Sequence, residues 1–119
     1  MNEILDISNN LITRYISEVL IYYESTRIEN VLLDGSYHVQ MIGDPLKIIN
    51  ITCNMSEAAK ALIDEAYNIS KPVQLKWYGK HYIGLIKESP KWSYLLKGKE
   101  TRRIYTAIMT IVVTEEGSL

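Results

Sequence analysis

A single cysteine in 119 residues, Cys53, excludes an intrachain disulfide and fits a protein that matures in a reducing compartment. In its apolar run from Ile48 it reads as a small buried thiol and not as a nucleophile. A dominant charge is also lacking. Thirteen Lys and Arg face 14 Asp and Glu, a formal net charge of -1, so no overall field favours a polyanion. No apolar stretch approaches the length of a membrane span, and Met1 to Asp6 holds no basic segment leading into an apolar one. A protein made in the cytosol without a membrane partner is expected. The only histidines, His38 and His81, have no Cys or His at a metal-ligand spacing. Gly35, Gly43, Gly79 and Gly84 match neither a dinucleotide fingerprint nor a phosphate loop; they read as turn residues, with Gly84 a bulge or a close backbone approach. Asp64-Glu65 and Glu115-Glu116 offer no shielded carboxylate pair for acid–base work. The chain therefore reads as non-enzymatic, with no catalytic residue, metal or cofactor.

What is present is an ordinary globular composition, 47% apolar and 23% charged, in a chain the length of one domain. Residues 1–12 read as a loosely ordered lead-in, 88–101 as a long loop and 115–119 as a tail. Leu11 to Tyr23 is ambiguous: its spacing is helical, yet Ile16 to Tyr23 is rich in β-branched and aromatic residues, which favours a strand. Ile28 to Leu33 and Ser36 to Ile42 form a hairpin about Asp34-Gly35, pairing Leu32 with Tyr37 and Val31 with His38. Gly43-Asp44-Pro45 ends that run, and Leu46 to Cys53 restarts as a strand with Ile49, Ile51 and Cys53 on one face.

Asn54 or Ser56 caps a helix over about 56–69, whose Ala59, Leu62, Ile63, Ala66 and Tyr67 make one apolar stripe and which Pro72 stops. Val73 to Tyr78 and His81 to Ile86 form a second hairpin about Gly79-Lys80, of type II′, pairing Trp77 with Tyr82 and Val73 with Ile86. Arg103 to Val113 has apolar residues on both faces and reads as a central strand covered on both sides. The predicted fold class is α+β: a mostly antiparallel split β-barrel or sandwich with one amphipathic helix packed on it.

Of the aromatics Trp77, Tyr78, Tyr82, Trp92 and Tyr94, the pair Trp77 and Tyr82 reads as core. Trp92 and Tyr94, in the long loop, read as contacts for another subunit. The candidate assembly interface is Trp92, Tyr94, Leu95, Leu96, Lys97, Arg102 and Arg103.

The order of a strand-rich start with Asp34-Gly35, one helix, the stretch from Pro72-Val-Gln-Leu to Tyr82-Ile-Gly-Leu-Ile86, a long loop and a Tyr105-to-Val113 strand resembles the bacteriophage tail-tube and baseplate-hub fold. That family includes the N-terminal domain of distal tail proteins, and the resemblance spans about Ile16 to Glu115. It implies subunits assembling as a ring, expected to be a hexamer, around a channel that DNA passes through. It also implies neighbouring tail or baseplate proteins as partners, and residence in the host cytoplasm and then in the virion tail. No second, carbohydrate-binding-like domain follows, which points to a small tube, tube-initiator or baseplate adaptor. The same strand order would also suit a small-ligand or flavin-binding split barrel. A third reading, nucleic-acid binding through Lys97 to Arg103, predicts steeply salt-dependent retention on DNA.

Overall fold

In a computed structural model of the chain, residues 2–31, 37–97 and 103–118 are described, with side chains described for 2–24, 45–94 and 104–118. The elements in chain order are β1 (Glu3–Asp6), β2 (Leu11–Thr13), β3 (Tyr15–Val31), β4 (Tyr37–Ser56), α1 (Glu57–Asn68), β5 (Val73–Trp77), β6 (Lys80–Ile86), β7 (Lys91–Lys97) and β8 (Arg103–Ser118). Among the described residues all pairings are antiparallel, in the order β2-β1-β5-β6-β8-β4-β3, with β7 continuing the β6 side of β8. The sheet curls into a half-barrel with, among the described residues, a single helix, the α+β split barrel expected.

The core lies on one face of that sheet. Ile49, Ile51, Cys53 and Met55 alternate inward along β4, facing Ala107, Met109 and Ile111 of β8, Val73 and Leu75 of β5 and Ile63 of α1. Each fully buried aliphatic side chain stabilises the fold by about 1.5–3 kcal/mol.

Helix α1 forms where its stripe and cap agree. Ser56 is the N-cap, its hydroxyl oxygen accepting the Ala59 N–H at 3.3 Å, and Glu57 sits in the first turn. Ala59, Ile63 and Ala66 are buried, with Leu62 and Tyr67 packed on the core beside them. The helix ends in a Schellman arrangement: Lys71 N–H donates to Ala66 C=O, Ser70 N–H donates to Tyr67 C=O, and Ser70 takes φ 54°.

The ambiguous stretch Ile16 to Tyr23 is a strand, part of β3. The first hairpin pairs Val31 with Tyr37 and Asn30 with His38, one residue away from the expected register. A two-residue turn needs an even number of residues between paired positions, and the observed pairs leave an odd number. The turn residues Asp34 and Gly35 lie outside the described residues. Gly43-Asp44-Pro45 does not end the strand: β4 continues through it, with pairing interrupted between Glu24↔Leu46 and Thr26↔Ile42. The backbone pairing of β4 with β8 starts only at Ile48↔Val112, so the part of the hairpin beyond that point projects as a two-stranded arm. The molecule is accordingly elongated, 69 × 31 × 26 Å.

In the second hairpin Trp77 pairs with Lys80 and Leu75 with Tyr82, two residues from the expected register, and Val73 meets Gly84 and not Ile86. The turn residues are Tyr78 and Gly79, at φ 44° and 79°, so the turn is of the I′ kind and Tyr78 accepts a left-handed conformation. A shift of two leaves every side chain on its face, so Val73, Leu75, Tyr82 and Ile86 are buried together as expected.

Strand β8 is central, between β4 and the β6/β7 side, but Ile108 is exposed, so its second face is not covered along its whole length. It runs to Ser118, through the expected tail, because Glu115, Glu116 and Gly117 pair with Ile83, Tyr82 and His81. Much of the expected loop is β7. The expected loose N-terminus is β1 and β2, which bury Ile4, Leu5 and Ile12. Their connection is built on Asp6, whose carboxylate accepts Ser8 N–H and Asn10 N–H, both at 2.9 Å, and the Asn10 amide at 3.0 Å. The buried Gln74 amide donates to Asp6 C=O and to Asn9 Oδ1, and Gln74 Oε1 lies 2.8 Å from His81 Nε2.

Burial alone would raise the Asp6 pKa, but the hydrogen bonds from Asn10 and Ser8 and the charge of Lys71 together lower it. A lowered folded pKa contributes stability above the unfolded value, about pH 4, which is lost as pH falls through the folded one. Asp6→Asn is therefore expected to lower the urea midpoint at neutral pH. The gap from wild type should close below about pH 4; a gap independent of pH would refute this account.

Candidate assembly interface

Strand β7 pairs with β8 from Lys91↔Ile108 to Lys97↔Arg103, with an irregularity between Tyr94 and Leu96. Alternation puts Trp92 and Tyr94 on the core-side face, next to Ala107 and Tyr105. The Trp92 ring meets Tyr105 edge-on, centroids 6.1 Å apart at 82°, while Tyr94 lies over Tyr105 at 4.7 Å and 31°. The Tyr105 hydroxyl donates to Tyr94 Oη at 3.2 Å. From α1, Lys60 Nζ reaches to 4.9 Å from the Trp92 ring and 5.5 Å from that of Tyr105, held at 3.0 Å by Asp64. The Asp64 hydrogen bond raises the Lys60 pKa against a partial desolvation, so the cation over the rings stays charged.

These contacts give two expected interface residues different places. Trp92 is partly buried against the core, fastening β7 to α1, whereas Tyr94 is half exposed at the rim. Leu95, Leu96 and Lys97 belong to β7 and Arg103 begins β8, but their side chains lie outside the described ones, and Arg102 lies outside the described residues altogether. His38 is placed on β4 by its backbone pairing with Asn30.

Sequence reasoning passed over the opposite edge. β3 pairs with β4 along one side and, among the described residues, no strand pairs with its other side; the same holds for β7 beside β8. Large apolar side chains stand exposed on both faces of β3: Ile21 and Tyr23 on the core-side face, and, across the bulge at Ser17, Tyr15 (76% exposed) with Leu20 (55%) and Tyr22 on the other. An unpaired edge with apolar residues on both faces is what a soluble monomer normally avoids. The signal was in the sequence: Ile16 to Tyr23 has apolar residues on both parities, and a strand is apolar on both parities when both its faces are to be covered.

Between these edges, β7, β8, β4 and β3 form a four-stranded stretch whose second face carries a polar band with the exposed Leu20 and Ile108 beside it. Thr110 Oγ1 donates to Asn50 Oδ1 at 2.7 Å and Thr106 Oγ1 to Asn54 Oδ1 at 2.9 Å. A groove of about 330 Å³ crosses this face, lined by Glu18, Leu20, Asn50, Glu88, Lys91 and Thr110 among others. Nothing in this lining pairs a nucleophile with a base. Cys53 lies beneath it, facing the core, where burial pushes the thiol up to about 12. It is expected to resist a disulfide reagent in native buffer and to react only on unfolding; rapid labelling of the folded protein would contradict the packing.

No family model matches the chain, and no curated protein matches it. Among solved structures, it is similar to a chain in the tail of an empty gene transfer agent particle, computed with helical refinement and C6 symmetry. The TM-score is 0.52 at 10% identity, over 99% of this chain and 95% of that one. A chain from the virion of a native gene transfer agent particle gives a TM-score of 0.49 at 11% identity, over 96% of this chain and 95% of that one. At such identity the likeness is one of fold, and the first of these matches bears out the phage tail-type fold that the resemblance implied.

Proposed function

We propose that the protein is a non-enzymatic structural subunit of a phage or phage-like tail, acting by lateral assembly into a ring. The observation that carries this reading is the unpaired β3 edge, apolar on both faces, at the opposite end of one four-stranded stretch from the unpaired β7 edge. Three antiparallel steps separate β3 from β7, so the two strands run in opposite senses. Rotation about a ring axis preserves each strand's sense along that axis, so β3 of one subunit meets β7 of the next antiparallel, continuing the sheet.

Six-fold symmetry of the tail particle that shares the fold supports a hexamer. Six copies of four strands close a barrel of roughly 24 strands, about 37 Å across at the backbone before tilt widens it. The face carrying α1, β1, β2 and β5 has too much bulk to sit inside such a barrel. The polar face with Asn50, Thr52 and Thr110 then lines the channel, a surface with little positive charge on which passing DNA would not be held. In this reading Tyr94 at the β7 rim, with Leu95, Leu96, Lys97, Arg102 and Arg103 beyond it, meets the next subunit. Tube, tube-initiator and baseplate adaptor are the roles that fit, with other tail or baseplate proteins above and below the ring. Assembly would begin in the host cytoplasm and end in the virion tail.

Sedimentation velocity of the purified chain, followed by negative-stain imaging, tests the proposal. Rings with a central channel are expected. A monomer at every concentration, together with no association with co-produced tail proteins, would sink it.

A further inference from the structure

A sheet continued from one subunit to the next has a register, and the two edges specify it. β3 keeps an unbroken ladder with β4 only between its two bulges, from Glu18↔Thr52 to Glu24↔Leu46. That run is seven residues long, the length of β7. It begins and ends in glutamate where β7 begins and ends in lysine. Laid antiparallel in full overlap, the acidic ends meet the basic ones, with Glu24 opposite Lys91.

The faces agree as well. Glu24 and Tyr22 lie on the second face with Lys91 and Ser93, and Tyr23 and Ile21 on the core-side face with Trp92 and Tyr94. Slipping by one residue would set each face against the other, so only even slips compete. A slip of two that brings Tyr22 opposite Lys91 leaves Tyr23, 67% exposed, beyond the end of β7, and sets Val19, already packed on the core, opposite Tyr94. A slip of two the other way runs β7 into the bulge after Glu24. Closure points to the same offset. Within one subunit Lys91 stands in a row with Ile108, Thr52 and Glu18, so meeting Glu24 of the neighbour staggers the sheet by six residues over four strands. At about 3.3 Å per residue and about 4.8 Å per strand, this tilts the strands by about 45°, the upper end of the range for closed barrels.

We infer, on the ring reading above, that each subunit joins the next through Glu24 on Lys91, Tyr23 on Trp92, Tyr22 on Ser93 and Ile21 on Tyr94. Lys87 of its own subunit takes Glu24 Oε2 at 2.6 Å, and the Glu24 side chain stays half exposed, so Lys91 arrives as a second cation. On the core side, Tyr23 and Ile21 extend the aromatic group of Trp92, Tyr94 and Tyr105 on which Lys60 rests.

Cysteine pairs test the register in the full-length chain, Cys53 staying unreactive in the core. Tyr22→Cys with Ser93→Cys should give, on mild oxidation, a ladder of covalent oligomers that a reductant abolishes. The two positions lie on the outer strands of the four-stranded stretch, too far apart to bridge within one subunit. Glu24→Cys with Lys91→Cys should give the same ladder and serves where the first pair does not fold. Leu20→Cys with Ser93→Cys is two residues out of register, about 7–8 Å on the diagonal, and should cross-link at least about tenfold less. Rings in negative stain with cross-linking by the Leu20 pair, or by none of the pairs, would overturn the register and leave the ring standing. No rings and no cross-link would overturn the ring reading itself, and the register with it.

Discussion

Gly84→Val is expected to abolish the soluble folded protein, and Gly84→Ala to destabilise it by about 3 kcal/mol or more, read from urea unfolding. The cause is space. A Cβ on Gly84 would sit 2.5 Å from Ile111 Cγ2 and still closer to the Val112 carbonyl oxygen. Backbone cannot yield here, because Val112 is held on both sides, by Ile48 of β4 and Leu85 of β6. The same place carries a bulge: Ile83 pairs with Glu115 but Gly84 with Val113, and Thr114 ties the irregularity by donating its hydroxyl to Ile83 C=O at 3.1 Å. The bulge brings β8 over Gly84, and only a residue without a Cβ lets it stay. Two other glycines calibrate the claim. Gly117→Ala meets nothing within 4 Å and should change stability by less than about 0.5 kcal/mol. Gly79→Ala also meets nothing, but its φ of 79° should make it cost about 1 kcal/mol. Equal effects at all three positions would refute the steric account.

The elements legible in the sequence are those where two signals coincide. Ser56 caps and Ala59, Ile63 and Ala66 repeat at the helical period, so α1 stands where expected. Registers were harder, for a physical reason. Moving the second hairpin by two residues keeps Val73, Leu75 and Tyr82 on the buried face, so polarity cannot distinguish the two pairings. Only the left-handed Tyr78 does so, and a tyrosine there is not what turn chemistry favours. β1 and β2 were illegible because each is a few residues long and takes its stability from distant partners: Ile4 from Leu75, and Thr13 through its hydroxyl to the Asn54 carbonyl. β7 had a legible trace, Trp92 and Tyr94 alternating with Ser93, masked by the reading of 88–101 as one long loop.

The candidate site was legible in kind and only half in place. Aromatic residues near β7 were expected at an interface because they are exposed anchors, yet the helix lysine and Tyr105 draw Trp92 inward, a tertiary effect with no local signature. The exposed residues of β3 were seen as an ambiguity between helix and strand. That ambiguity was itself the trace of an edge apolar on both faces.

Ile21→Lys combined with Tyr23→Lys is expected to leave the subunit folded and to weaken ring formation at least about 100-fold. Both side chains are exposed in the subunit, Ile21 at 40% and Tyr23 at 67%, so their replacement costs the fold little. Both lie on the core-side face of β3, where a continuing sheet would bring the next subunit's body over them. Burying two such side chains contributes about 3 kcal/mol or more, which is about a 100-fold change in association. Lysine additionally forces a charge into the contact, the device by which natural edge strands avoid pairing. Leu20→Lys is the counterpart. Leu20 is about as exposed but lies on the polar face, which would look onto the channel, so rings should still form. Sedimentation velocity separates the cases with the same three proteins. Loss of rings with Leu20→Lys and their survival in the double variant would reverse which face is covered. Survival in both would remove β3 from the interface altogether.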